Sequence, residues 1–320
     1  MRVISECTED LIKRAAQALS DGNLVVFPTE TVYGLGADAV NENAVARIYS
    51  VKGRPIDHPL IIHISSINGL TDWANEIPGY AIKLARSFWP GPMTLILPKK
   101  SLAKSFVTGG QGTVGLRVPA HPLALELLKQ FERSGGKGVA APSANRFGAV
   151  SPTTVEAVND ELGSYLATED LVLDGGQSKV GIESTIIDCR GSNPVILRPG
   201  AVTVQMVEEC TGTIIDLNLR SNTIRASGLL ERHYSPRAQV LLGEKAEAGD
   251  GFIAMVGVKT PDGAIRLTSP TNIEEYARDL YIGLRMADQQ GLSRIIVKSP
   301  EGEGLASAIR DRLNKAAFGK

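Results

Sequence analysis

The chain reads as two α/β units, the first built on a mixed, twisted, open sheet, because extended apolar runs alternate with helical ones and a polar, aperiodic stretch divides them. Leu11, Ile12, Ala15, Ala16 and Leu19 share one helical face and precede the β-branched run Leu24 to Phe27, so a helix feeds a strand. Further strands are predicted at Leu60 to Ile64, Met93 to Leu97, Val114 to Val118, Val139 to Ala141, Leu171 to Leu173, Ser184 to Asp188 and Val195 to Leu197. Helical patterns occupy Glu42 to Val51, Tyr80 to Phe88, Leu123 to Arg133 and Thr203 to Cys210. Strand spacing is too irregular, and helices too few after residue 140, for an eightfold barrel or a strictly parallel sheet.

Periodicity fades from about Asp216 to Ala238, where Asn, Arg, Ser, Thr, Gly and Pro dominate. The division is therefore residues 1–212, a connecting segment 213–238 and a second unit 239–320. That second unit has strands at Gln239 to Leu242, Phe252 to Val256 and Arg294 to Val297, with helices at Ile273 to Gln290 and Gly304 to Ala317, the pattern of a small α/β sandwich.

Charge and cysteine content remove several classes. Lys and Arg number 34 against 35 Asp and Glu, so bulk charge argues against a basic nucleic-acid module. Cys7, Cys189 and Cys210 are too few and too scattered for a disulfide framework or a CxxC metal site, which reads as a reducing compartment. No apolar run approaches the roughly 18 residues that cross a bilayer, and the N-terminus has acidic residues where a signal peptide would be basic. A cytoplasmic protein without membrane contact is expected. His58, His63, His121 and His233 form no HExxH, so no protein-held metal is predicted.

The chemistry-bearing residues gather beside Gly and Pro. Pro28 ends the first strand, and Thr29, Glu30, Thr31 and Tyr33 then offer hydroxyls and a carboxylate on a loop whose Gly34 and Gly36 permit close approach. Lys52 and Arg54 flank Gly53 at a helix end, Arg117 interrupts one apolar strand, and Arg198 ends another. Each cation alone suits a solvated salt bridge; the set suits an anion held by forked guanidinium groups. Pro142 to Asn145 and Gly181 to Thr185 add hydroxyls and an amide beside turns, and taken separately they suit helix caps or turn residues as well as a ligand site. His63, within an apolar strand, has the plain reading of a satisfied core histidine. Gly110 to Gly115 fits GxGxxG, but a strand follows it where a dinucleotide site needs a helix, and no GxxxxGK[ST] is present. Cations, hydroxyls and glycine loops without an acid/base dyad point to a phosphate-bearing ligand whose reaction runs on positioning and charge stabilisation.

In order, PTETVYGLGAD, KGRP from Lys52, PLIIHI from Pro59, WPGPMT from Trp89, GLRVP from Gly115, APSAN from Ala141, GIESTIID from Gly181 and RPG from Arg198 resemble the YrdC-like family of threonylcarbamoyl-AMP synthases. The run Glu231 to Pro236 is similar to the segment that marks the family's long form, with Ser227 and Ala238 where that form usually has prolines. The resemblance implies a YrdC-like twisted open sheet, a linker and a small Rossmann-like domain. It also implies the reaction of L-threonine, bicarbonate and ATP to L-threonylcarbamoyl-adenylate and pyrophosphate, with Mg2+ accompanying ATP and tRNA threonylcarbamoyl-transferase machinery downstream. By the same resemblance Thr31, His63, Arg117, Ala141 and Ser184 bind threonine. Arg54, His58, Thr113, Ser143, Asn145, Ser151, Arg198 and Tyr234 bind the nucleotide, with Lys52 and Arg54 as the catalytic cations and Tyr234 carried by a linker that folds over the cavity. A double-stranded RNA-binding module, or weak RNA contact beside the enzyme activity, is the competing expectation. A hydrogenase-maturation carbamoyltransferase is ranked below it, since such proteins carry zinc-finger and acylphosphatase-like extensions that this sequence lacks.

Overall fold

A computed structural model describes residues 2–4, 9–215, 224–226, 228 and 233–318. In the first unit the strands are β1 (Arg2–Ile4), β2 (Val25–Phe27), β3 (Gly34–Asp38), β4 (Ile61–His63), β5 (Met93–Pro98), β6 (Thr113–Arg117), β7 (Val139–Ala140), β8 (Leu171–Leu173), β9 (Thr185–Asp188) and β10 (Val195–Arg198). They form one sheet in the order β1-β8-β2-β3-β7-β4-β6-β5-β9-β10. The sheet is mixed as expected: β4 pairs parallel with β6 and β5 with β9, while β2/β3, β4/β7 and β5/β6 are antiparallel.

Helices cover it on both faces: α1 (Glu9–Ser20), α2 (Glu42–Lys52), α3 (Leu70–Trp73), α4 (Gly79–Phe88), α5 (Ser105–Thr108), α6 (Pro122–Arg133), α7 (Val155–Leu162) and α8 (Val204–Thr211). The predicted apolar face of α1 is buried, packed with Leu127, Leu128 and Phe131 of α6 against Val25 and Phe27. The opposite face carries the larger core, with Val45 and Ile48 of α2 and Leu84 of α4 over Leu35, Ile62 and Leu95. Asn41 caps α2 by accepting from Ala44 N at 3.1 Å, and Gly53, at φ 60°, ends it in the left-handed turn that sends Arg54 back across the helix end.

Two parts of the sequence reading need correction here. The PTETVYGLGAD segment is a loop only as far as Tyr33; Gly34 to Asp38 is strand β3, antiparallel to β2. Gly36 serves the sheet, since a Cβ there would stand 2.8 Å from both Phe27 and Val139, whereas Gly34 opens β3 and also lines the cavity described below. Helix α7, capped by Thr154, lies in a stretch to which the sequence pattern assigned no element, because its apolar face is only two turns long.

The second unit has β11 (Gln239–Leu242), β12 (Gly251–Ile253), β13 (Ile265–Thr268) and β14 (Arg294–Val297), all parallel in the order β11-β14-β12-β13, with α9 (Ile273–Gln289) and α10 (Leu305–Ala317). Strand β13 escaped the sequence reading because Ile265 and Arg266 are exposed or half-exposed at the sheet edge, which weakens the apolar signal. Of the connecting segment, residues 216–223, 227 and 229–232 lie outside the described residues. Its described residues touch both units: Arg225 N donates to Gln111 Oε1 at 2.8 Å and Gln111 Nε2 donates back to Arg225 O at 2.9 Å, while Arg237 N and Ala238 N donate to the Asp288 carboxylate of α9 at 2.9 and 3.0 Å. No described helix is long and apolar enough to cross a membrane.

Candidate active site

A cavity open to solvent lies where the ends of β4, β6 and β10 meet the loop after β2 and the start of β9. The loop is held by its own hydroxyls. Thr29 Oγ1 donates to Val32 O at 2.6 Å, accepts from Thr31 N and Val32 N, and lies 2.8 Å from Thr31 Oγ1. Arg117, at the end of β6, donates from Nη2 to Glu30 Oε1 at 2.6 Å and to Thr31 Oγ1 at 2.9 Å, and Ala120 N binds the second Glu30 oxygen at 2.8 Å. Glu30 is thus committed to orienting Arg117. On the opposite wall Arg198 donates from Nε to Ser184 O at 3.0 Å and from Nη2 to Ser184 Oγ at 3.1 Å, and that hydroxyl lies 2.8 Å from Thr94 Oγ1. Arg54 donates from Nη2 to Pro59 O at 2.9 Å and lies over the Phe147 ring at 5.7 Å.

Arg54, Arg117 and Arg198 are only 7%, 5% and 3% exposed, yet all three line the cavity. Guanidinium groups withdrawn from water around one concavity are strong partners for an anion that enters it. His63 lies among them, edge-on to Phe27 at 5.9 Å, with Nδ1 lacking a partner. Burial, followed by the adjacent Arg117, pushes its pKa down to about 3, so the ring is neutral at physiological pH. His63 is thus a buried histidine, as its apolar strand suggested, that also lines the cavity and has one ring nitrogen without a partner.

Of the expected site residues, Thr31, His63, Arg117, Ala141, Ser184, Arg54, Ser143, Arg198 and Tyr234 come together on this cavity. Lys52, His58, Thr113, Asn145 and Ser151 do not reach its wall. Lys52 is the main correction to the paired-cation reading. Its Nζ donates to Ser143 O at 2.6 Å and to Asn145 O, so it braces the turn behind the cavity, and burial foremost holds its pKa well below the usual lysine range. Helix geometry separates the two cations, because Lys52 closes α2 facing inward while Gly53 reverses the chain before Arg54. Asn145 Nδ2 closes the same turn onto Arg146 O and Ala149 O, and Ser151 Oγ donates to Glu183 Oε1 at 2.6 Å. His58 stands edge-on to Phe147 at 5.3 Å, and Thr113 lines a smaller neighbouring cleft with Ile186 and Arg225.

Sequence reasoning missed Glu183, Gly228 and His233, which also line the cavity. Both Gly228 and Tyr234 adopt positive φ, at 80° and 60°. A Cβ on Gly228 would collide with the Tyr234 hydroxyl, so glycine at this position is what lets the linker pass over the ring. His233 packs edge-on against Tyr234 at 4.0 Å, and burial above all pushes its pKa down to about 3. Its place in the Glu231 to Pro236 run, beside Tyr234, was the signal that could have found it.

Glu30 and Glu183 are already bound to arginines, and no three His, Cys, Asp or Glu side chains gather among the described residues.

Residues 17–200 match the family described as Telomere recombination, and residues 202–318 match the family described as Threonylcarbamoyl-AMP synthase, C-terminal domain. The threonylcarbamoyl-AMP synthase of Pyrococcus abyssi is 39% identical over 325 residues, covering 96% of this chain and 94% of its own. The chain belongs to the threonylcarbamoyl-AMP synthase family. The synthase of Bacillus subtilis is likewise 39% identical, over 97% of this chain and 93% of its own. Among solved structures, P. abyssi Sua5 complexed with L-threonine superposes with a TM-score of 0.88 at 39% identity, covering 99% of this chain and 98% of that one. Family membership carries the enzyme class and the two-unit α/β fold. The RNA-binding expectation is not favoured, and the geometry agrees: the arginines turn inward around a cavity instead of spreading over an outer face.

Proposed function

We propose that the chain makes L-threonylcarbamoyl-adenylate from L-threonine, bicarbonate and ATP, releasing pyrophosphate, and that the product feeds the threonylcarbamoyl adenosine modification of tRNA. The observation that carries this reading is one cavity walled by three buried arginines and a neutral His63, in a chain 39% identical along its length to named synthases. On the threonine side stand Thr31, His63, Arg117, Ala141 and Ser184: Arg117, oriented by Glu30, takes the carboxylate, and Ser184 meets the polar side chain. Arg54, Ser143, Arg198 and Tyr234 take the nucleotide, with His58 and Thr113 at its margins. Lys52, Asn145 and Ser151 act from behind, by fixing the turn and Glu183.

The threonine amine adds to bicarbonate, or to CO2 derived from it, giving a carbamate with loss of water in the bicarbonate case. A carbamate oxygen then attacks the α-phosphorus of ATP, and the α–β bridging oxygen departs with its electron pair on pyrophosphate. Arg54 and Arg198 offset the charge that grows on the phosphates as that bond opens. Magnesium enters with ATP as part of the substrate, bound by the phosphates. Consumption of ATP for a tRNA modification suits a cytoplasmic enzyme.

Pyrophosphate release with ATP is expected only when threonine and bicarbonate are both present. Full-rate release with either one omitted would identify a different adenylating enzyme or a simple ATPase.

A further inference from the structure

The second unit reaches the cavity through two side chains that the chemistry above does not use. Helix α10 buries Ala308, Ile309, Leu313 and Ala316 on one face, and Arg312 occupies the same face with 0% exposure. Its Nε donates to Glu183 Oε2 at 2.9 Å, its Nη2 to Glu183 O at 3.3 Å, and its Nη1 to Asp311 Oδ2 at 2.7 Å. From α9, the Tyr281 hydroxyl donates to Glu183 Oε2 at 2.9 Å. Both also touch the linker residue on the cavity wall: Tyr281 stacks on the Tyr234 ring at 5.6 Å, and the Arg312 guanidinium lies 5.4 Å from that ring's centroid. The fit is close, since a Cβ on Gly181 would collide with the backbone of Ala277 and Arg278 in α9.

An apolar side chain at 312 would have filled the same face without the desolvation cost of a buried ion pair, so stability alone does not account for the arginine. What the pair adds is position. Glu183 precedes Ser184, whose hydroxyl and carbonyl both hold Arg198.

We propose that Arg312 and Tyr281 are positioning residues for the cavity: docking of the second unit grips Glu183 at two points and clamps Tyr234, which sets Ser184 and Arg198 on one wall and the linker on the other. The assignment rests on the proposed reaction for its kinetic consequences, although the grip itself is independent of it. Glu183 keeps its charge throughout: burial is the largest influence and works to raise its pKa, but Arg312, Arg198 and the hydrogen bond from Ser151 outweigh it and leave the pKa at about 2.

The test uses the full chain carrying Arg312→Met, Arg312→Lys, Tyr281→Phe, Glu183→Gln or the Glu183→Gln/Arg312→Met pair. Arg312→Met should raise the KM of both threonine and ATP and lower kcat/KM at least tenfold. Arg312→Lys, which keeps the charge but loses the two-point grip, should recover only part of that. Tyr281→Phe keeps the stack on Tyr234 and loses only the bond to Glu183, so it should raise both KM values several-fold, by less than Arg312→Met does. The double variant should be no worse than the poorer single, because both changes release the same contact. Hydrogen exchange without substrate should quicken in peptides spanning 181–188 and 233–238, in Tyr281→Phe even if Arg312→Met does not fold. Wild-type exchange there and unchanged KM values in Tyr281→Phe, or single losses that multiply in the double variant, would overturn the proposal. A wild-type chain without threonine-dependent pyrophosphate release would end the functional reading alone, and the exchange comparison would still decide the grip.

Discussion

In the ten-stranded sheet Arg117 and Arg198 end strands β6 and β10 and stay buried on the cavity wall, whereas in the four-stranded sheet the cation after β14, Lys298, lies in a loop and donates to Gly243 O and Glu244 O. Open α/β sheets commonly bind ligands at the carboxyl ends of their strands, and the first unit gathers its arginines there. The second unit contributes from elsewhere, through Arg312 and Tyr281 on the buried faces of α10 and α9. A domain can therefore serve a site without presenting a ligand-binding strand end of its own, provided its helices pack on the residues that do.

Acid should separate the two regions most sharply. Every histidine precedes the second unit, and the buried His63 and His233 have folded-state pKa values near 3 against a usual 6.5. A depressed histidine pKa means that the unfolded chain takes up protons first, so stability present above pH 6.5 is lost as pH falls toward 3. The linkage amounts to at most about 2 kcal/mol per histidine by pH 5. Urea unfolding at pH 7.5 and 5, with hydrogen exchange, should show the cavity region loosening before the four-stranded sheet; equal pH sensitivity in both would break the comparison.

Arg54→Ala should slow pyrophosphate release about a hundredfold, the loss of about 3 kcal/mol expected for one strong donor to a developing charge. Lys298→Ala, at the second sheet's strand end, should stay within about twofold of wild type. A folded Arg54→Ala chain at full rate would remove that residue from the site.

Lys52→Met tests whether the neighbouring cation is a brace. It leaves Ser143 O and Asn145 O without their ammonium donor, which should lower unfolding stability by about 2 kcal/mol. A loss of rate with undiminished stability would return Lys52 to the nucleotide.

The smallest effect is expected at Ser184. Ser184→Ala should raise the threonine KM about tenfold more than the ATP KM, since an unpaired polar group in a closed site costs about 1–2 kcal/mol. Equal use of valine and threonine by the native chain would contradict a site that reads the hydroxyl.

Much of this architecture was readable from local pattern. Leu11 to Leu19, Met93 to Leu97 and Leu123 to Arg133 carry period and length enough to name their element, and the motifs beside Gly and Pro named most of the cavity wall. Two kinds of residue escaped. Lys52 was paired with Arg54 because they are two positions apart, but direction at a helix end depends on the left-handed turn at Gly53, which spacing does not encode. Arg312 and Tyr281 gave no signal at all, since an arginine or tyrosine within an amphipathic helix is ordinary.

By itself the sequence determined the two-unit α/β order, the apolar faces that build each core and the family motifs that name the chemistry, because all of these reside in short-range periodicity and contiguous strings. Only the tertiary structure decided which cations face the cavity, that His63 and His233 stay neutral, and that the second unit holds Glu183. Each of those depends on burial and on partners as far apart as Glu183 and Arg312, 129 positions along the chain, and desolvation and ion pairing exist only once distant segments have closed around the same atoms.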